Sequence, residues 1–189
     1  MIVVVDNYDS FTYNLVRYIK LACSLQLKVI KNDELQLNEI IRLKPSYLVL
    51  SPGPGHPIDS GCTIDVINYF HNKVPILGVC LGHQAIGYYF KAHISRTKNI
   101  LHGKTSSIQH NNDPIFNSVN QNFKAARYHS LIIKKNTLPD CLSIIASSDG
   151  EIMAIKHIEL PIYGLQFHPE AFLTYDGQQI INNFFEISH

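Results

Sequence analysis

The chain has 189 residues, of which 46% are hydrophobic and 16% charged, and its formal net charge at pH 7 is +1. This length favours a single domain, expected to span residues 1–189, with a sizeable buried core. The near-neutral charge excludes nucleic acid and anionic membranes as electrostatic partners, because no basic excess is present to bind either.

The N-terminal residues and the spacing of the cysteines indicate the cellular compartment in which the protein is expected. Only four apolar residues separate Met1 from Asp6, so we expect neither a signal peptide nor a spanning helix. The cysteines are far apart and form no Cys-x-x-Cys pair (Cys23, Cys62, Cys80, Cys141). We therefore expect reduced thiols in the cytoplasm.

The N-terminal half alternates strand patterns with helix patterns. The β-branched run Ile2–Val5 predicts a central strand that is buried on both faces. From Phe11 onwards apolar residues recur every three or four positions, which predicts a helix with Asp9 or Ser10 as its N-cap. Further strands are predicted at Leu27–Lys31, Tyr47–Leu50 and Pro75–Val79, and further helices at Glu34–Leu43 and Gly61–Phe70. This alternation predicts a three-layer α/β fold, in which helices cover both faces of a mostly parallel sheet.

After Phe90 the pattern changes to short segments separated by turn residues, which predicts hairpins and a small antiparallel edge sheet. Another apolar strand is predicted at Tyr163–Phe167, and Gln178–Ile187 has the pattern of a closing helix. The predicted short segments are Ala92–Thr97, Lys104–His110, Lys124–Tyr128, Leu142–Ala146 and Glu151–Lys156.

Cys80 stands between the predicted strand Pro75–Val79 and a helical pattern, and it is flanked by Gly78 and Gly82. A strand, a Gly-x-nucleophile-x-Gly turn and a helix form a nucleophile elbow, here with sulfur in place of a hydroxyl. The helix N-terminus would favour the thiolate form. The alternative for this stretch alone is a structural cysteine beside two packing glycines.

His168 and Glu170 follow the predicted strand Tyr163–Phe167 at a spacing of two, so both side chains point to the same face. A carboxylate beside an imidazole can fix its tautomer and stabilise the imidazolium. If this strand lies beside the strand of Cys80, the three residues form a nucleophile, a base and an orienting group. The alternatives are a simple strand-terminating turn, or a zinc site that uses Cys80 and His83.

The loop Ser51–Pro57 is rich in proline and glycine and follows the predicted strand Tyr47–Leu50. Ligands of open α/β sheets bind at the carboxyl ends of the strands, where glycines let backbone N–H groups approach closely. A plain turn is the alternative.

Six motifs, spread over essentially the whole chain, make it resemble the class I (triad) glutamine amidotransferases. The resemblance is closest to the small glutaminase subunits of aminodeoxychorismate synthase and anthranilate synthase. The motifs are DNYDSFTYN (Asp6–Asn14), SPGPG (Ser51–Gly55), GVCLGHQAI (Gly78–Ile86), HGKTSSI (His102–Ile108), ARYHSL (Ala126–Leu131) and GLQFHPE (Gly164–Glu170).

The resemblance implies hydrolysis of glutamine to glutamate and ammonia through a thioester on Cys80. It implies that His168 transfers protons, with Glu170 orienting it, and that the oxyanion lies between the backbone N–H groups of Leu81 and Gly53. It further implies that glutamine is held by Gly53, Pro54, Gly55, the side chain of Gln84, and the backbone of Ser130 and Leu131. No cofactor or metal is implied.

The resemblance also implies a partner, because the chain has no room for a second domain that could use the ammonia. The expected partner is a large chorismate-binding synthase subunit, in a heterodimer or heterotetramer. The segment Glu151–His157 favours the aminodeoxychorismate (folate) branch over the anthranilate (tryptophan) branch, and one subunit serving both is a further alternative. A non-catalytic thiol sensor is the alternative from a different functional class.

Two positions depart from the family pattern. Lys91 stands where the family usually has glycine after the elbow helix, which puts the usual glycine stop of that helix in doubt. Ala171 stands where serine usually follows the triad glutamate, so a hydroxyl that could hold Glu170 is absent.

Overall fold

The computed structural model describes residues 1–34, 36–97 and 103–188. Within these ranges the helices are α1 Thr12–Ala22, α2 Leu37–Arg42, α3 Thr63–Phe70, α4 Leu81–Tyr89 and α5 Gly177–Ile187. The strands are β1 Ile2–Asp6, β2 Leu27–Lys31, β3 Tyr47–Leu50, β4 Ile76–Val79, β5 Ile94–Arg96, β6 Lys104–His110, β7 Phe123–Arg127, β8 Leu131–Ile133, β9 Leu142–Ser148, β10 Glu151–His157 and β11 Ile162–Leu165. None of the described helices combines the length and the apolar character that crossing a membrane requires.

A nine-stranded sheet organises the molecule, with strand order β2-β1-β3-β4-β11-β10-β9-β6-β7. Strands β2, β1, β3, β4 and β11 pair in parallel, and the pairs β11–β10, β10–β9, β9–β6 and β6–β7 are antiparallel. The antiparallel strands thus continue the parallel sheet at one edge. A separate two-stranded antiparallel sheet joins β5 to β8. The predicted fold class is confirmed.

Helices cover both faces of the parallel part. Alternate residues of β1 belong to different hydrophobic clusters: Ile2 and Val4 pack with α1 and α5, whereas Val3 and Val5 pack with α2, α3 and α4. This division follows from the period of two along a strand. The β-branched run at the start of the chain is therefore buried on both sides, as its composition predicts.

Most predicted bounds differ from the observed ones by at most two residues, as for the strand predicted at Tyr163–Phe167, which spans Ile162–Leu165. Three differences are of another kind. Helix α2 begins at Leu37, after a capping box between Gln36 and Glu39, so Glu34 precedes the helix and Leu35 lies outside the described residues. Phe11, not Asp9 or Ser10, is the N-cap of α1, and the Asp9 carboxylate accepts a hydrogen bond from the Phe11 N–H at 2.8 Å. Strand β8 is absent from the predicted elements, since three residues are too short to show a period.

The motif HGKTSSI is described from Gly103 onwards, and its first residue, His102, lies outside the described residues.

Candidate active site

Cys80 lies in the tight turn that its flanking glycines predict. It connects β4 to α4 with backbone angles φ 51° and ψ −101°, which a non-glycine residue rarely adopts. A Cβ atom on Gly78 would lie 2.5 Å from the carbonyl carbon of Gly82, and one on Gly82 would lie 2.3 Å from the carbonyl oxygen of Leu50. Any side chain at either glycine would collide with backbone, so the sharp turn requires both.

The sheet places the strand of His168 beside the strand of Cys80. Strands β4 and β11 are parallel neighbours, with Val79 opposite Leu165, and the Cys80 N–H donates to the Leu165 carbonyl at 2.8 Å. Parallel strands end at the same edge, so the residues that follow β11 reach the elbow. Nδ1 of His168 donates to Oε1 of Glu170 at 2.8 Å, and both side chains are buried.

Two opposing effects act on the pKa of His168. Burial by itself would lower it, but the negative charges of Glu170 and of a Cys80 thiolate raise the pKa well above its ordinary value. Nε2 of His168 is buried without a hydrogen bond of ordinary geometry to the described residues. Because Nδ1 is bonded to Glu170, Nε2 is the ring nitrogen that can hold the proton it exchanges with the Cys80 thiol, and the raised pKa favours the protonated ring.

A cavity of about 390 Å³ opens beside the thiol. The rings of Phe11 and Tyr128 lie 5.5 and 5.1 Å from the imidazole of His168, measured between ring centroids, and so exclude water from one side of it. The residues lining the cavity are Tyr8, Asp9, Ser10, Phe11, Pro54, Cys80, Tyr128 and His168. Of the residues expected to bind glutamine, Pro54 lines this cavity directly.

Gly53 lies against the first residue of α4. A Cβ atom on Gly53 would be 2.8 Å from Cδ2 of Leu81 and 2.5 Å from Cβ of Asn7. Asn7 holds this loop in place: its backbone N–H donates to Oγ of Ser51 at 2.8 Å, and its side-chain amide donates to the Ser51 carbonyl at 2.9 Å. The two residues expected to provide the oxyanion N–H groups are thus neighbours. Gly55, by contrast, has a φ of +80°, and apart from its own chain neighbours no atom of the described residues lies within 4 Å of a Cβ added there.

Gln84 lies on α4, one turn after the elbow, and its side chain is buried. Its Nε2 donates to the Leu131 carbonyl at 2.8 Å and to Oε1 of Gln166 at 3.1 Å. The structure therefore brings Gln84 together with the backbone of Leu131, and Ser130 is the preceding residue in the chain.

Sequence reasoning missed Gln166 and the role of Asn7. Nε2 of Gln166 lies 3.8 Å from Sγ of Cys80, and this side chain is fully buried. Both residues belong to the matched motifs, but the DNYDS stretch has the pattern of a polar turn and Gln166 that of a strand residue. The position of Gln166, two residues before His168, is the available signal, because it shares the same face.

His83, the other ligand of the hypothetical zinc site, is fully buried on α4. Burial lowers its pKa to about 3, so the ring is neutral. Its Nδ1 would lie 2.7 Å from a Cβ atom on Gly164, which shows how closely the ring packs on β11. Within 1–34, 36–97 and 103–188, no group of three or more His, Cys, Asp or Glu side chains has a geometry that could hold a metal ion.

Known proteins are similar to this chain in sequence and in architecture. Residues 3–187 match the model of the glutamine amidotransferase class-I family. The chain is 50% identical over 188 residues to the "Bifunctional protein TrpGD" of Thermotoga maritima, covering 98% of this chain but 32% of that protein. It therefore spans about a third of the length of that relative.

Two further proteins are similar to this chain over nearly the full length of both compared chains. The "Aminodeoxychorismate/anthranilate synthase component 2" of Bacillus subtilis is 46% identical over 187 residues, which is 98% of this chain and 96% of that one. A crystal structure of a putative GMP synthase protein from Thermoplasma acidophilum has a TM-score of 0.86 at 28% identity, covering 99% of this chain and 92% of that one. On the family match and these relatives, the chain belongs to the class-I glutamine amidotransferases.

Proposed function

We propose that this chain is a glutaminase subunit, which hydrolyses glutamine to glutamate and ammonia and passes the ammonia to a chorismate-using synthase subunit. One observation carries the proposal: Cys80 occupies a strained elbow beside a strand that ends in the buried His168–Glu170 pair. This is the geometry of an activated nucleophile with a base and an orienting carboxylate.

The proposed reaction has two steps. Nε2 of His168 takes the Cys80 thiol proton, and the thiolate attacks the side-chain carbonyl carbon of glutamine. The tetrahedral intermediate then collapses, and the nitrogen leaves as ammonia with the proton from His168. In the second step His168 removes a proton from water, which attacks the thioester carbonyl; the C–S bond then breaks, His168 returns the proton to Sγ of Cys80, and glutamate leaves. Glu170 keeps its hydrogen bond to Nδ1 in both steps and stabilises the imidazolium.

The backbone N–H groups of Leu81 and Gly53 are the proposed donors to the oxyanion. The contact of Gly53 with the Leu81 side chain supports this pairing, as does the anchoring of the loop by Asn7. Removal of one such donor typically lowers kcat by about 10²–10³.

The remainder of the substrate lies between α4 and the backbone that follows Tyr128. Gly53, Pro54 and Gly55 form one wall, and Gln84, Ser130 and Leu131 hold the amino and carboxylate end. The hydrogen bond from Gln84 to the Leu131 carbonyl supports a common site for these groups.

The proposed partner is component 1 of aminodeoxychorismate synthase, in a heterodimer or heterotetramer. The Bacillus subtilis relative, which is named for both synthases, supports anthranilate synthase as the alternative partner, or service of both. The proposal includes a single amidotransferase domain over residues 1–189, supported by the family match over 3–187. It also places the protein in the cytoplasm, where its four free thiols would stay reduced.

One assay tests the activity and identifies the partner. Glutamate release from glutamine is measured for the purified chain alone and with component 1 of each synthase, and the aromatic product formed from chorismate is identified. We expect activity that rises when the true partner is added and that is abolished in Cys80→Ala. Absence of activity with either partner, or activity that survives Cys80→Ala, would overturn the proposal.

A further inference from the structure

Arg127, at the end of β7, is an almost completely buried guanidinium that the proposed chemistry does not use. A buried charge is costly unless it is paired and fully hydrogen-bonded. Arg127 forms an ion pair with Glu151, donates from Nη1 to Oγ of Ser106 at 3.2 Å, and donates from Nε to Nε2 of His129 at 3.0 Å. The contact with His129 connects Arg127 to the residues of the proposed active site.

The hydrogen bond from Arg127 decides which nitrogen of His129 carries the proton. Nε2 accepts from the guanidinium, so the proton of the neutral ring lies on Nδ1, which donates to the Leu131 carbonyl at 3.0 Å. Burial and the positive charge of Arg127 lower the pKa of His129 to about 3, so the ring is neutral at pH 7.

The Leu131 carbonyl is a shared acceptor. It receives the Nδ1 proton of His129 on one side and Nε2 of Gln84 at 2.8 Å on the other. The Gln84 amide also contacts Gln166, whose Nε2 lies 3.8 Å from Sγ of Cys80. A continuous chain of polar contacts therefore runs from the buried guanidinium to the nucleophile.

A second set of hydrogen bonds in the same network reaches the carbonyl of Ser130, the residue before Leu131. Glu151, the ion-pair partner of Arg127, accepts a hydrogen bond from the hydroxyl of Thr97. The backbone N–H of Thr97 donates to the Ser130 carbonyl at 2.9 Å. The carbonyls of Ser130 and Leu131 are thus both hydrogen-bonded within the protein, which fixes the orientation of two consecutive peptide planes.

We propose that Arg127 and His129 are positioning residues for glutamine, which act by holding the Ser130–Leu131 backbone in the orientation that receives the substrate's amino and carboxylate end. This inference rests on the proposed function. Neither residue lines the cavity beside Cys80. Their loss is therefore expected to weaken glutamine binding much more than it slows the chemical step, which means a rise in KM with a nearly unchanged kcat.

Two different substitutions of His129 test its two hydrogen bonds one at a time. In His129→Asn the side-chain amide N–H₂ stands near the position of Nδ1 and can still donate to the Leu131 carbonyl. In His129→Gln the amide oxygen reaches the position of Nε2, so Arg127 keeps its acceptor while the Leu131 carbonyl loses its donor. We expect His129→Gln to raise KM for glutamine about tenfold and His129→Asn to change it less than about threefold.

Arg127→Lys tests the other end of the network. Lysine keeps a positive charge for Glu151 but removes the Nε donor that fixes the tautomer of His129. We expect a rise in KM of about tenfold in the His129 background and almost none in the His129→Asn background, whose amide donor needs no tautomer control. Each protein is assayed with the stimulating synthase component, and its Tm confirms that it is folded.

Two readouts separate positioning from general damage. Alkylation of Cys80 by iodoacetamide, which does not use the glutamine site, should proceed at the wild-type rate in all these variants. The ¹⁵N NMR spectrum of the His129 imidazole in the free chain should show the Nδ1–H form, and this preference should weaken in Arg127→Lys.

Equal KM values for His129→Asn and His129→Gln, or an Nε2–H form of His129 in the wild type, would overturn the inference. Either result would leave the proposed function intact if the wild type still hydrolyses glutamine. A wild type without glutaminase activity would overturn the proposed function itself, so the two failures are distinguishable.

Discussion

Nδ1 of His168 lies 2.8 Å from Oε1 of Glu170, and neither side chain is more than 2% exposed. In this dry environment the carboxylate acts at close range on an imidazole that burial alone would keep neutral. The other carboxylate oxygen, Oε2, is buried without a hydrogen-bond partner among the described residues. Ala171, the residue that follows, has no hydroxyl to offer, so Glu170 depends on His168 for its hydrogen bond.

Glu170→Gln should therefore damage catalysis without removing the hydrogen bond. The glutamine Oε1 can still accept from Nδ1, but the negative charge is lost, so the pKa of His168 falls and the imidazolium is less stable. We expect kcat to fall by about 10²–10⁴, as for the equivalent change in serine proteases. The pH dependence of Cys80 alkylation should shift at the same time, because the thiolate loses part of its imidazolium partner.

Tyr175→Phe is the control for this substitution, since Tyr175 lies on the same segment and is 78% exposed. It should keep the wild-type kcat. A Glu170→Gln enzyme with the wild-type kcat and alkylation profile would show that the carboxylate charge has no part in the reaction.

The grouping of Cys80, His168 and Glu170 could be predicted from the sequence because each part depends on a local pattern. Gly78 and Gly82 mark the elbow of Cys80. His168 and Glu170 are close in the chain, but their side chains meet across the turn that follows β11 and not along an extended strand, as the spacing of two had predicted. The prediction also assumed that the strand before Cys80 and the strand before His168 are neighbours in the sheet. No local sequence pattern determines which strands are neighbours. The sheet order, with β11 beside β4, supplies that information.

The network behind the site could not be predicted in the same way. Arg127 and Glu151 are 24 positions apart in the chain, and they meet although β9 and β6 lie between their strands, β10 and β7, in the sheet. Strand β8 is too short to show a period, so the location of Leu131 beside Gln84 has no sequence signal. Long-range polar contacts of this kind depend on tertiary packing.

Gly53→Ala should lower activity strongly and leave the fold largely in place. The new Cβ atom would meet Cβ and the backbone oxygen of Asn7 at 2.5 and 2.6 Å, so the loop must move away from Leu81. We expect kcat to fall by about 10²-fold or more, since one proposed oxyanion donor would be displaced. The measurement is steady-state glutamate release by the complex with the synthase component.

Gly150→Ala is the matched control for Gly53→Ala, because it replaces a glycine of another loop with alanine. Gly150 lies in the turn between β9 and β10 at φ +79°, and apart from its own chain neighbours no atom of the described residues lies within 4 Å of an added Cβ. Alanine there should lower the free energy of unfolding by about 1 kcal/mol through backbone strain and leave kcat unchanged. A similar kcat for both alanine variants would argue against a role for Gly53 in the reaction.

Lys91 ends the elbow helix in a conformation that suits glycine. Its φ is 74°, its N–H donates to the Tyr88 carbonyl at 3.0 Å, and the Ala92 N–H donates to the Gly87 carbonyl at 2.9 Å. This is the Schellman pattern, formed here without the usual glycine. Lys91→Gly should raise the free energy of unfolding by about 0.5–1 kcal/mol, because the left-handed conformation costs a side chain about 1–2 kcal/mol and glycine loses part of that gain through its greater freedom when unfolded.

Lys91→Ala distinguishes backbone strain from any effect of the lysine side chain. Alanine keeps the left-handed cost, so we expect no gain in stability. Urea unfolding of the two variants measures the difference, and equal stabilities would contradict the strain explanation.

Two buried neutral histidines should make the fold sensitive to acid. Burial lowers the pKa values of His83 and His129 to about 3 each, whereas an unfolded chain titrates near the ordinary 6.5. Between these values the unfolded state binds more protons, so the free energy of unfolding falls as the pH falls. Each ring contributes a slope of up to about 1.4 kcal/mol per pH unit in this window.

His168 acts in the opposite direction, because its pKa is raised in the folded state. Its contribution to stability is fully present below about pH 6.5 and is lost as the pH rises through the raised folded pKa.

Urea unfolding at pH 7, 6, 5 and 4 measures how the free energy of unfolding falls on acidification. His83→Asn should be less stable than the wild type at pH 7 but lose stability more slowly on acidification, by about 1.4 kcal/mol per pH unit.

His93→Asn, at an exposed position, is the control and should keep the wild-type slope. Since carboxylates titrate in the same range, the informative quantity is the difference in slope between each variant and the wild type. Parallel curves for His83→Asn and the wild type would mean that His83 takes up a proton in the folded state as readily as in the unfolded one, which its complete burial on α4 against Gly164 opposes.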